Sequence, residues 1–445
     1  MADMAESGAQ KARRNVLFLM VDCMRADTLW DRQRYPYVPN LEKLMARSTS
    51  FSEMITAATT TTPSVATLLT GRYPAEHGIR SLLGYKLQPD VKTVPEILRE
   101  HGYHTVAEVT GPLFPVTGLD RGYDFYHRRE RHWYLDTGWG SKIVSTLAGN
   151  RLQEPWFMFL HLWELHWPRK AKGEFASAKY GKQLYQRSVA YLDSQLPRIL
   201  DSIDPENTIV VLTGDHGEGI AGAIDDPRPW VQLAVSAGYK LTKGLPAQTK
   251  KRILSIGKKA VLQQKNQQEV AGHAQLCVYD YLIRVPFIFS APGVAPTGKS
   301  VDTQVRHIDI APTILDAVGI DPAPYGLQPS LLPMMRGEDT TDRPAMTEAL
   351  QTMLHDSVNR LIGLRTGKYK YIAAPDNPSV PQEVYDLDAD PRERMNLAPG
   401  RPELVSALSA QLAGIQNGAT STAVRMSAEE ERLIKERLEA LGYVE

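Results

Sequence analysis

Cysteine is almost missing: Cys23 and Cys277 are the only two among 445 residues. That excludes a fold stapled by disulfides. Long apolar runs are missing as well. None approaches the ~18 consecutive apolar residues that a spanning helix needs, so no membrane span is expected. Neither sign of charge dominates, because 51 Lys and Arg face 51 Asp and Glu. A balanced chain gives no global electrostatic case for a nucleic-acid or membrane partner, and no nucleic-acid partner is expected. The stretch Met1 to Arg14 is polar, ends in Lys11, Arg13 and Arg14, and lacks the apolar centre of a signal peptide. The expected location is cytoplasmic. No internal repeat and no long low-complexity stretch occurs, and nothing in the pattern points to a particular oligomer.

What is present describes an ordinary globular chain, 42% hydrophobic and 23% charged. Its length allows one large domain plus a small one. Val16–Val21 is an unbroken apolar run, and shorter runs recur at Trp156–Leu160, Ile209–Leu212 and Pro286–Phe289. Such runs suit strands buried on both faces of a parallel sheet. Between them, Pro95–His101 opens on a proline and stops before Gly102, which suits a short helix. Tyr185–Ile203 places Val189, Leu192, Leu196 and Ile199 at helical spacing. Alternating strands and helices predict an α/β fold: a mostly parallel central sheet flanked by helices.

Beyond residue 335 the texture changes. Leu361–Ile372 and Glu383–Leu387 read as short antiparallel strands, followed by helices near Pro402–Ile415 and Ser427–Leu441. Ser427 and Glu430 have capping-box spacing. The expected division is a catalytic α/β domain over 14–335 and a smaller subdomain with an antiparallel sheet over 336–445.

Polar residues follow the apolar runs, and in open α/β sheets ligands sit beyond the carboxyl ends of the strands. Asp22 follows the first run, His161 and His166 the second, Asp215 and His216 the third. Asp215 and His216, side by side between Gly214 and Gly217, can turn toward one cation. A carboxylate with an imidazole suits Zn²⁺ or Mn²⁺ better than Ca²⁺. Asp22 at a strand end suits a hard cation or a helix cap. In Thr61-Thr62-Pro63-Ser64, Pro63 fits a first helical turn and Thr61 fits its cap, where unpaired N–H groups favour an anion. Taken alone, that segment is better explained as an ordinary capped helix, and a lone His166 or His273 is usually a satisfied structural residue.

Together the segments resemble the sulfatase family of the alkaline phosphatase superfamily. Asp22 to Asp27 is similar to the family's strand-end Asp with its following Arg and Asp. Thr61 to Gly71 matches the spacing of its nucleophile signature. His166 before Pro168, the pair Asp215-His216, and His273 ahead of Arg284-Val285-Pro286 match later motifs in order. Arg365–Ile372, Tyr385–Leu387, Asp390-Pro391, Asn396-Leu397 and Leu441–Tyr443 resemble its tail.

The resemblance implies an alkaline-phosphatase-like sheet with a small C-terminal antiparallel sheet. It also implies one divalent cation held by Asp22, Thr61, Asp215 and His216. Mn²⁺ or Zn²⁺ is favoured over Ca²⁺ or Mg²⁺, and Cys23 is a weaker ligand candidate. Two departures set this chain apart. Sulfatases oxidise Cys or Ser to formylglycine, but the methyl on the Cβ of Thr61 allows only a ketone. The family's Arg after Pro-Ser is Val65.

The expectation is therefore direct attack by the Thr61 hydroxyl on an anionic small-molecule ester. His166 and His273 would assist catalysis and bind the anion, with Arg25 as a substrate contact. Phosphodiesters or phosphonate monoesters lead. The alternatives are sulfate esters, transfer of a phospho group to an alcohol, and a non-catalytic binding protein. Residues 220–271, rich in Lys, form an insertion between His216 and His273. It reads as a solvated flap or as a basic lid over the site.

Overall fold

The apolar runs become the middle of a large sheet. The computed structural model describes residues 13–129, 133–149, 151–167, 169–220, 277–350, 360–378, 380–417 and 423–440. His273, almost all of the basic insertion and Leu441–Tyr443 lie outside the described residues.

The strands are β1 (Asn15–Val21), β2 (Thr49–Ile55), β3 (Tyr85–Lys86), β4 (His104–Val109), β5 (Phe125–Arg128), β6 (Trp156–Leu162), β7 (Thr208–Gly214), β8 (Arg284–Ser290), β9 (Lys299–Val301) and β10 (Val305–Arg306). They continue as β11 (Ala345–Ala349), β12 (Leu361–Arg365), β13 (Tyr369–Ala373), β14 (Glu383–Asp386) and β15 (Val424–Arg425). The main sheet runs β10-β2-β8-β7-β1-β6-β4-β5, with β9 also on β2. β1 lies parallel to both β6 and β7. Only β8 runs against its neighbours β7 and β2. The sheet is therefore mixed but mostly parallel, as the unbroken apolar runs predict.

Side chains alternate across β1 with the period of a strand. Val16, Phe18 and Met20 enter one core with Leu68, Ile97 and Ile314 from the helices Thr61–Thr70, Val94–Glu100 and Ile310–Ala317. Leu17, Leu19 and Val21 enter the other with Leu44, Ile143 and Val189 from Pro39–Ala46, Gly138–Ala148 and Leu184–Leu200. Each fully buried side chain of this kind contributes roughly 1.5–3 kcal/mol. Among the described residues, no helix is long and apolar enough to cross a membrane.

A second sheet, β11-β12-β13-β14, is antiparallel throughout. Two tethers join it to the main sheet. In the first, Glu348 of β11 donates its N–H to Ala57 O (2.9 Å) and accepts from Thr59 N (3.3 Å). In the second, buried Lys370 of β13 pairs with Asp280 and Glu393, while Arg365 of β12 bonds Asp280 and Glu53.

Some boundaries differ from expectation for local reasons. The helix beginning at Val94 is capped by Thr93, whose hydroxyl accepts from Glu96 N, so Pro95 lies inside its first turn. The apolar stretch from Leu361 to Ile372 is two strands, because Thr366 turns the chain back at Tyr369. Ser427 and Glu430 do form the reciprocal cap of the last helix.

Candidate active site

The site forms where β1, β6 and β7 end. Asp22 continues the β1–β6 ladder, donating its N–H to Leu162 O (2.9 Å). That places its carboxylate beside His161, the penultimate residue of β6, whose Nε2 is 3.1 Å from Asp22 Oδ2. β7 delivers Asp215 and His216 immediately afterwards. Asp215 Oδ1 accepts from Cys23 N (3.0 Å) and His216 N (2.8 Å), so one carboxylate ties both strand ends together.

The two glycines flanking the pair serve close approach. A Cβ on Gly214 would sit 2.5 Å from Met24 O, and one on Gly217 would sit 2.0 Å from Tyr281 O. Gly217 N also donates to Leu282 O (2.7 Å), anchoring the loop to the turn before β8.

Thr61 is the first residue of a ten-residue helix, and Thr60 occupies the cap position without a side-chain cap bond. This corrects the expectation that Thr61 itself is the cap. Its hydroxyl is released from capping and points elsewhere: Oγ1 lies 3.4 Å from Asp22 Oδ2 and 3.5 Å from His216 Nε2. Ser64, one turn on, donates to Asp215 O (2.6 Å) and docks the helix start onto the Asp215-His216 loop. Val65 faces the apolar core, so no cation replaces the family's Arg there.

Asp22, Thr61, Asp215 and His216 are thus brought together, all nearly inaccessible to solvent. Burial works against ionising Asp22, but the charges of His166 and His161 and the His161 hydrogen bond hold its carboxyl well below the usual range. Burial, with the charge of Asp22 added, pushes Asp215 up to about 6. Burial opposes the charged form of His216, yet the carboxylates of Asp215 and Asp22 raise it overall. Burial and the neighbouring carboxylates push the Cys23 thiol well up.

His166 belongs to the same group. Its ring stacks on Trp163 at 3.6 Å between centroids, and its Nδ1 faces Trp167 O at 2.5 Å. Arg25 is engaged within the protein. Its Nε and Nη2 bond Asp27 and its Nη1 bonds Glu218 O, so the guanidinium braces the strand end.

Sequence reasoning left two neighbours out of the site. From the sequence His161 reads as a residue following a strand, whereas it lies within β6 and its ring holds Asp22. The buried Glu218–Arg169 pair, 2.5 Å apart, lies against two residues of the site edge: the Arg169 guanidinium sits over the Tyr185 ring at 5.1 Å, and Glu218 O accepts from Arg25. Strand alternation through His161 is the signal that could have found the first.

A divalent cation fits these residues. Asp22, Cys23 and His216 each offer a ligand atom, all within 4.8 Å of one another. Asp215 Oδ2 is buried with no hydrogen-bond partner. Among the described residues no Lys or Arg pairs with Asp22 or Asp215, and two buried carboxylates without such a partner favour a cation among them.

Comparison with known proteins agrees with this architecture. The sulfatase family model matches residues 14–320, and a model described as N-sulphoglucosamine sulphohydrolase, C-terminal, matches 273–418. A choline-sulfatase of Rhizobium meliloti (strain 1021) is 24% identical over 440 residues, covering 86% of this chain and 82% of that protein. The solved structure of a 2-O GAG sulfatase superposes with TM-score 0.67 at 19% identity, covering 92% of each chain. The phosphonate monoester hydrolase of Agrobacterium radiobacter superposes with TM-score 0.63 at 16% identity, covering 92% of this chain and 96% of that one. The chain belongs to the sulfatase family. It is a sulfatase-like ester hydrolase with an alkaline-phosphatase-like fold, and its family generally binds a divalent metal.

Proposed function

We propose that the chain hydrolyses sulfate monoesters, with Thr61 Oγ1 as the attacking atom. One observation carries the reading. A hydroxyl in the family's nucleophile position, at a helix N-terminus, faces Asp22 and His216 instead of capping its helix. Curated relatives named for sulfate esters favour sulfur over the phosphorus chemistry expected from Thr61 alone.

The sulfate group would sit against the N–H groups that begin the Thr61–Thr70 helix, where the helix dipole favours an anion. Thr61 would pass its proton to Asp22, whose Oδ2 lies 3.4 Å from Oγ1, as Oγ1 bonds to sulfur. The sulfur–ester oxygen bond breaks, and the departing oxygen takes a proton from His166. Water would then attack the sulfo-threonine at sulfur and give a proton to His166, which lost one to the leaving group, while the base returns its proton to Thr61 Oγ1 as the sulfur–threonine oxygen bond breaks and sulfate leaves. A cation held by Asp22, Thr61, Asp215 and His216 would lower the hydroxyl's pKa and offset charge on the anion.

A panel of nitrophenyl sulfate, phosphate, phosphodiester and phosphonate esters tests the reaction class. The sulfate ester should be cleaved fastest. A second reading, hydrolysis of phosphodiesters or phosphonate monoesters, rests on Thr61 and Val65 replacing the formylglycine apparatus. Turnover of those esters with the sulfate inert would replace the first reading by the second. Thr61→Ala should lose at least about 10³-fold in kcat while keeping its fold and metal content. Undiminished turnover in that variant would reject the nucleophile.

A further inference from the structure

We infer that Cys23 supplies a thiolate ligand to the cation, making this a thiophilic site that takes Zn²⁺ in preference to Ca²⁺ or Mg²⁺. The inference rests on the metal site proposed above and adds a ligand to it.

The sulfur is placed, not incidental. Cys23 is one of two described non-glycine residues with positive φ, at 62°. A left-handed backbone is costly for a residue with a Cβ and persists only where surrounding bonds enforce it. Here Asp215 Oδ1 takes its N–H (3.0 Å) and the Tyr185 hydroxyl donates to its carbonyl (2.7 Å). The result sets Sγ 3.0 Å from Asp22 Oδ1, fully buried.

The spacing suits a small ion such as Zn²⁺, which takes four or, at catalytic sites, five ligands. Zn–S and Zn–N or Zn–O bonds of about 2.3 and 2.0 Å imply ligand–ligand edges of about 3.3–3.7 Å in a tetrahedron. Thr61 Oγ1 lies 3.4 Å from Asp22 Oδ2 and 3.5 Å from His216 Nε2. Cys23 Sγ, Asp22 and His216 stay within 4.8 Å of one another. A second, independent feature asks for a cation at this spot: Asp215 Oδ2 is buried, lacks a hydrogen-bond partner and lies 3.4 Å from His216 Nε2.

A donor set of one thiolate, one imidazole and carboxylates selects Zn²⁺ or Co²⁺, whereas Ca²⁺ and Mg²⁺ take all-oxygen shells. Binding replaces the S–H bond by a sulfur–metal bond, and the proton leaves to solvent.

The full-length chain, stripped and reloaded with one equivalent of Co²⁺, should show a near-ultraviolet sulfur-to-cobalt charge-transfer band. Cys277→Ser should keep the band and Cys23→Ser should lose it, with Zn²⁺ affinity falling at least about 10-fold. Cys23→Asp should shift preference toward Mg²⁺ or Ca²⁺. X-ray absorption on the Zn²⁺-loaded wild type should find one sulfur at about 2.3 Å, a measurement that needs no variant to fold. An ion bound without sulfur, with equal Zn²⁺ affinity in Cys23→Ser, overturns the thiolate and leaves the metal reading standing. Failure of the wild type to bind any divalent ion overturns both.

Discussion

At the scale of single residues, the site is built from side chains whose ordinary explanations fail one by one. Thr61 should cap a helix, but Thr60 holds the cap position and Thr61 faces Asp22 and His216. His161 should be core packing, yet its Nε2 reaches Asp22 Oδ2 at 3.1 Å. Histidines or carboxylates that orient a metal ligand matter nearly as much as the ligand itself. His161→Asn should therefore lower divalent-metal affinity by about 10–100-fold without large loss of stability, as read by competition against a chelating dye. An unchanged affinity would mean that His161 only fills space.

Asp22, Asp215 and His216 were legible because each sits just beyond an apolar run, and Thr61 because it opens a Thr-Thr-Pro-Ser helix start. His161 also follows an apolar run, but the run alone does not show that β6 continues through it and sets its ring against Asp22. The partners of Arg25 were equally hidden, since nothing local announces a bond to the carbonyl of Glu218, 193 residues away.

At the scale of elements, strand ends and one helix start do the positioning. β1 and β6 share a ladder that carries Asp22 to His161, and β7 brings the Asp215-His216 loop. That loop survives close packing only because its flanks lack side chains. Gly217→Ala would drive a Cβ to 2.0 Å from Tyr281 O. Overpacking of that kind typically costs about 1–3 kcal/mol, and here the displaced residue is His216. Thermal unfolding should show a lower Tm, and metal analysis a lower occupancy, in the same variant. A normal metal content at reduced Tm would show that the loop re-forms around the added methyl.

The buried strands β1, β6, β7 and β8 could be read from sequence because continuous apolar runs have few other uses, but the run at Pro286–Phe289 lies antiparallel to its neighbours rather than parallel. β2, β4 and β5 could not. Thr49–Ile55, for example, mixes Ser50, Ser52 and Glu53 with Phe51 and Met54, since it binds β8, β9 and β10 and meets Arg365 through Glu53.

At the scale of the whole molecule, the small antiparallel sheet is braced against the large one by buried charge. Lys370, completely buried, pairs with Asp280 and Glu393. Breaking a buried pair by removing one partner strands the other charge, so Lys370→Met should lose about 3–5 kcal/mol in denaturant unfolding.

Burial is the largest influence on Glu393 and raises its pKa from 4.5 to about 7, outweighing nearby Lys370. Because the folded value is the higher one, the contribution is fully present below pH 4.5 and is lost as pH rises through about 7. Asp280, held below its ordinary 3.8, acts only at lower pH and does not enter this window. Glu393→Gln should therefore flatten the fall in stability between pH 5 and 7.5 relative to wild type, seen as a smaller change in unfolding free energy. Identical slopes would place the ionisation elsewhere.

The same brace reaches the chemistry through a short relay of contacts. Arg365 and Lys370 hold Asp280, Asp280 begins the turn that ends at Ile283, and Leu282 O holds Gly217 N beside His216. Glu348 likewise clasps the backbone two residues before Thr60. A nascent chain that has emerged from the ribosome only as far as β8 already possesses Asp22, Cys23, Thr61, Asp215 and His216, the described candidate ligands, but it lacks the residues that brace them. The site should therefore be held less firmly until the C-terminal sheet has been made, and a polypeptide truncated before Glu393 should retain less divalent metal than the full chain, as metal analysis would read.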